Sequence, residues 1–176
     1  IASGNACRRA KAASQSTAQN APVASACYAS VALTPAMARI DVLSPAYNAA
    51  ATLREAVESV RAQTVADIRI VVVNDGSTDD TSAILSDLSR QDGRIHVISK
   101  SNDGIVEARN DGLRNCTSEF IACLDADDIA SPDRLERQLA YMHAHPECVA
   151  LGGKVAHIDD LGAPLVGLPQ PGHPSE

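Results

Sequence analysis

The chain has 176 residues, a formal net charge of -7 and 45% hydrophobic residues, the balance of one globular domain. Aromatic residues are only 2%, with no Trp, which excludes a single-stranded nucleic-acid platform of stacking rings; net acidity argues against a polyanionic partner in general. The five cysteines (Cys7, Cys27, Cys116, Cys123, Cys148) are odd in number and form no C-x-x-C pair, which argues against zinc or a disulfide framework, and no apolar run approaches the ~18 residues of a membrane span.

Residues 1–38 are rich in Ala, Ser and Thr, lack Asp and Glu, and carry Arg8, Arg9 and Lys11. They read as a disordered or targeting-like extension. From Arg39 the pattern becomes regular. Ile40–Leu43 is a short apolar run closed by Ser44-Pro45, a strand signal. Leu53, Ala56, Val57 and Val60 recur at helical spacing and predict a helix over roughly 50–63. Ile68–Val73 is a β-branched run suited to a strand buried on both faces. Ile84, Leu85 and Leu88 predict a second helix, capped by Ser77 or Thr78 with Asp79 and Asp80 in its first turn.

Ile95–Ile98 reads as the next strand, and Ile105, Ala108 and Leu113 as the inner stripe of a third helix. Phe120–Leu124 is a fourth strand. Ser131 and Pro132 predict the cap and first position of a fourth helix with Leu135, Leu139 and Met142 inside. Cys148–Leu151 begins a fifth strand. The Pro- and Gly-rich residues 162–176 read as a tail or the start of an acceptor region that the chain lacks.

Alternating strands and helices imply βαβ units and a mostly parallel sheet flanked by helices. Ligands of such sheets bind beyond the carboxyl ends of the strands. The residues that follow the strands are therefore expected to face one crevice: Ser44 to Asn48, Asn74 to Ser77, and Asp125 to Asp128.

Asp125-Ala126-Asp127-Asp128 sets three carboxylates within four residues, and a hard divalent cation would offset their repulsion. The competing reading is an acidic turn capping the next helix. A calcium loop starting at Asp125 is rejected, because Ile129 and Ala130 stand at its fifth and sixth positions. Asp75-Gly76 is by itself an ordinary turn, although Asp75 could accept hydrogen bonds from a base or ribose. Arg109 is either a phosphate-binding fork or a surface partner of Glu107 or Asp111. His96, His143, His145, His157 and His173 lack metal-ligand spacing. No G-x-G-x-x-G or Walker pattern occurs.

Together, Asp41–Asn48, Val72–Thr81, Asn102–Leu113 and Leu124–Asp128 with Pro132–Leu135 resemble the family 2 inverting glycosyltransferases of the GT-A fold. The resemblance covers about residues 39–153, within a nucleotide-sugar-binding domain over 39–161. It implies a GT-A-like (Rossmann-like) α/β fold and metal-dependent transfer of a sugar from a nucleoside-diphosphate donor, a UDP-sugar, to a saccharide or lipid-linked acceptor. Pro45 and Tyr47 would line the nucleotide pocket, Asp75 would bond the base, and Arg109 would sit beside the nucleotide. Asp127 would ligate Mn²⁺ or Mg²⁺, with Asp125 nearer the ribose. The family's catalytic base lies further downstream, so no base is assigned and the domain is expected to be C-terminally truncated. A cytoplasmic protein is expected, with peripheral attachment at the inner face of the membrane as a variant. The alternatives are a noncatalytic donor-binding fragment and, more weakly, a nucleotidyltransferase.

Overall fold

The computed structural model describes residues 6–8, 40–159 and 162–165. In chain order the elements are β1 (Ala6–Arg8), β2 (Ile40–Ala46), α1 (Leu53–Arg61), β3 (Ile68–Asp75), α2 (Thr81–Gln91), β4 (Ile95–Lys100), α3 (Ile105–Asn115), β5 (Phe120–Cys123), α4 (Arg134–Ala144) and β6 (Ala150–Leu151). These strands form one sheet in the order β4-β3-β2-β5-β1-β6. Its four strands β4, β3, β2 and β5 are parallel, as the sequence implies. β1 runs antiparallel between β5 and β6. Part of the extension expected to be disordered is therefore a strand. Strand addition needs only main-chain groups along an open edge, so no side-chain period announces it. The rest of residues 1–38 and the tail beyond Leu165 lie outside the described residues.

Side chains alternate across the sheet. Ile40, Val42, Ile70, Val72, Phe120 and Ala122 pack with the inner stripes of α1, α2 and α4. Leu43, Val71, Val73 and Ile121 pack with Ala108 of α3 on the opposite face. The stripe Leu53, Ala56, Val57, Val60 of α1 and the stripe Leu135, Leu139, Met142 of α4 are buried as expected.

α3 departs from the expected stripe. It buries Ala108 and Gly112, while Ile105 and Leu113 are 56% and 42% exposed. The helix lies too close to the sheet for larger residues: a Cβ on Gly112 would stand 2.1 Å from Leu43 Cδ1.

Strand ends also differ. β2 continues past Leu43 through Pro45, which pairs with Val73 of β3. Leu124 N–H donates to Leu43 O at 3.0 Å, so Leu43 turns its polar groups towards β5. Pro45, two residues on, faces the same side beyond the end of β5, where its missing N–H costs no ladder bond. α4 begins at Arg134 with Asp133 as cap, not at Ser131. The Ser131 and Pro132 carbonyls instead accept from Gln63 Nε2 at 2.7 Å and Thr64 N–H at 3.0 Å, tying this turn to the α1–β3 loop. α2 is capped at Asp80, leaving Ser77 and Thr78 in the preceding loop.

Candidate functional site at the carboxyl edge

Pro45, Asp75 and Asp125 fall on the α3 face of the sheet, at the carboxyl ends of β2, β3 and β5. Leu43 pairs with Cys123, so two residues further on Pro45 stands level with Asp125. Pro45 pairs with Val73, so Asp75 projects one step beyond. Tyr47 follows immediately and is 52% exposed. α3 crosses this edge, and Arg109 Nη2 donates to Asp125 Oδ1 at 2.5 Å. Arg109 thus pairs with an acid sixteen positions away, not with its helical neighbours. Asp111 is taken by Lys100 at 2.7 Å and by Arg114.

Asp75 is buried, yet both its oxygens are engaged. Oδ1 accepts from Asp103 N–H at 3.0 Å and Oδ2 from Gly104 N–H at 2.8 Å. Gly104 is the N-cap of α3 and offers no side chain, so a carboxylate from β3 covers donors that the helix leaves open and sits at its positive end. Gly76 makes this approach possible. Its φ is +69°, and a Cβ there would stand 2.5 Å from the backbone nitrogen of Asn102. Gly76→Ala is therefore expected to combine a left-handed strain of about 1–2 kcal/mol with a backbone clash. Urea unfolding should show a lowered midpoint; a wild-type midpoint would mean the 102–104 loop moves away without cost.

Sequence reasoning placed Asn48 and Ser77 at the crevice but missed the bonds that tie the two neighbouring loops together. Asn48, at φ +48°, accepts from Thr78 N–H at 2.8 Å through Oδ1 and donates its own N–H to Ser77 Oγ at 3.0 Å. Ala49 N–H donates to Thr81 Oγ1 at 2.9 Å, and Ala50 N–H to Asp79 Oδ2 at 3.0 Å. Hydrogen bonds from Thr81, and next from Ala50, hold the Asp79 carboxyl below the usual carboxylate range. Asn48, Ser77, Thr78, Asp79 and Thr81 lie within the segments that carry the family resemblance. Their partners, about thirty positions away, have no local signature.

In the acidic loop, Asp127 is exposed and Asp128 is half-buried. Burial first, then the charges of Asp127 and Asp125, pushes the Asp128 carboxyl above its usual value. The loop thus carries the repulsion that its sequence implies. Among the described residues no group of three or more His, Cys, Asp or Glu side chains is arranged to hold a metal. The donor set nevertheless suits a hard cation that takes one or two carboxylates and completes its shell with substrate phosphate oxygens and water. Arg109 Nε is buried without a hydrogen-bond partner, so the guanidinium keeps an unused donor beside the loop.

The model of glycosyl transferase family 2 matches residues 41–164. An uncharacterized glycosyltransferase of Haemophilus influenzae is 35% identical over 129 residues, which is 73% of this chain and 40% of that protein. TarS 1-349 of S. aureus, solved in complex with UDP-GlcNAc, is 28% identical with a TM-score of 0.57, over 61% of this chain and 32% of that one. The mannosyltransferase PcManGT from Pyrobaculum calidifontis, solved with GDP-Man and Mn²⁺, is 26% identical with a TM-score of 0.53, over 58% of this chain and 31% of that one. The chain spans less than half the length of the curated relatives it matches, 40% for the Haemophilus influenzae protein.

Proposed function

Since the chain belongs to glycosyl transferase family 2, we propose that it forms the donor-binding part of an enzyme that moves a sugar from a nucleoside diphosphate, a UDP-sugar, to an acceptor hydroxyl with inversion. The acceptor is a saccharide or a lipid-linked molecule, and the reaction belongs to the cytoplasm or the inner face of the membrane. No helix among the described residues is long and apolar enough to cross a membrane.

The observation that carries this reading is the convergence of Asp75, Arg109 and Asp125 on one face of the carboxyl edge, with an exposed Asp127 beside them. Tyr47 and Pro45 form the wall on which the base rests, and Asp75, which also holds the Asp103 and Gly104 amides, bonds the base. Arg109 presents a fork to the diphosphate. Asp127, with Asp125, would hold Mn²⁺ or Mg²⁺, which would neutralise charge on the departing diphosphate. The nucleotide sugars bound in the TarS and PcManGT structures support a nucleotide sugar as donor. No described residue is given the part of the catalytic base.

Calorimetric titration of UDP into the chain tests this reading. With Mn²⁺ present, saturable binding is expected. EDTA or Asp127→Asn should weaken it by about tenfold or more, the scale of one lost charged contact. If a cooperatively folded chain binds neither UDP nor GDP with Mn²⁺, the donor-site assignment is wrong.

A further inference from the structure

On the face of the sheet opposite α3, a cavity of about 450 Å³ lies between α4 and the segment after β6. That volume is within the usual range of small-molecule sites. Arg134, Arg137, Gln138 and Tyr141 line it from successive turns of α4, and Lys154 faces them across it. Three of the lining side chains are cationic and none is a carboxylate, in a chain of net charge -7. Arg134 is 8% exposed and anchored: Nη2 donates to Cys123 O at 2.8 Å and Nε to Gln138 Oε1 at 3.3 Å. The anchoring carbonyl is two residues before Asp125, and Ser131, three residues after Asp128, also lines the cavity. Outside the lining, Asp133 meets Arg137 at 3.4 Å in an exposed pair that solvent screens.

We infer that this cavity binds a phosphate group of a second ligand, the phosphorylated acceptor of the transfer reaction. Three cations match a phosphate dianion better than a single carboxylate, and the Arg forks suit its oxygens. Tyr141 and Gln138 add hydroxyl and amide partners for a sugar or polyol attached to that phosphate. Calling the ligand an acceptor rests on the function proposed above; the phosphate site rests on the cavity alone.

The test titrates glucose 1-phosphate into the chain, with glucose and glucuronate as neutral and monoanionic comparators. Titrations are run in EDTA and again with saturating UDP and Mn²⁺. Glucose 1-phosphate is expected to bind saturably in both conditions, with both comparators weaker. The variant Arg137→Ala/Lys154→Ala should weaken it by about tenfold or more, as expected for lost charge-assisted contacts, and leave UDP binding unchanged. Both positions are exposed, whereas Arg134 holds backbone and is left intact. Displacement by UDP, equal binding of glucuronate, or indifference to the double variant would overturn the assignment. If glucose 1-phosphate binds through Arg137 and Lys154 while UDP fails to bind, the phosphate site stands and the donor reading falls.

Discussion

Asp41→Ala is expected to destabilise the domain by about 3–5 kcal/mol, the cost of breaking a buried ion pair from one side. Asp41 is fully buried in β2, at the end of the sheet away from the candidate site. Arg69 of β3 grips it through Nε at 2.8 Å and Nη2 at 2.7 Å. Thr117 N–H at 2.6 Å, Ser118 N–H at 3.0 Å and Ser118 Oγ at 2.8 Å donate to the same carboxylate. Removing it strands a half-buried guanidinium and two backbone donors at the turn into β5. Urea unfolding reads the loss directly, and a change below about 1 kcal/mol would show that water replaces the carboxylate readily.

The same group sets a pH dependence. Burial works to raise the Asp41 pKa, but the bonds from Arg69, Ser118 and Thr117 outweigh it and hold the carboxyl below its usual value. The unfolded chain therefore takes up this proton first as pH falls. Asp41's contribution is complete above its unfolded value of about 3.9 and is lost as pH drops through the lower folded value. Stability measured from pH 6 downwards should fall less steeply in Asp41→Asn than in wild type.

Gly112→Val is expected to cost about 3 kcal/mol, at the upper end of overpacking penalties. Even its first added carbon would lie 2.1 Å from Leu43 Cδ1 and 3.1 Å from Val73 Cγ2. Leu43 and Val73 are buried in the sheet and cannot swing aside. The helix must lift instead, carrying Arg109 away from Asp125 and the Asp103 and Gly104 amides away from Asp75. UDP binding should weaken together with stability. Gly93 provides the control, since a Cβ there meets nothing within 4 Å; Gly93→Ala should stay within about 0.5 kcal/mol of wild type. Equal effects at the two glycines would refute the close-packing argument.

The contrast between these glycines also shows where the sequence was readable. Strands β2 and β3 announce themselves through Val, Ile and Leu and β5 through the apolar run Phe120–Leu124, and α1 and α4 through apolar residues at helical spacing. α3 hides its buried face, because close approach selects Ala108 and Gly112, residues that hydrophobic periodicity passes over. Pro45 looks like a strand end until the shortness of β5 is known. β1 is only three residues long, too short for a strand period to show. At the candidate site, the strand-end rule brings Asp75 and Asp125 to one edge without any coordinates. The partner of Arg109 and the Asn48–Thr78 and Ala49–Thr81 bonds depend on how loops meet in space, which no local window records.

The shared face of Pro45, Asp75 and Asp125 has a consequence for how sequences of this kind can diverge. Residues added to or removed from the helices and outer loops between the strands leave all three side chains where they are. One residue gained or lost inside β2, β3 or β5, with the paired register kept, would send that strand's terminal side chain through the sheet to the side of α1 and α4. A change of two would restore its direction. The intervals between these positions are therefore free to drift in length, while the count from each strand's first paired residue to its last must keep its odd or even character.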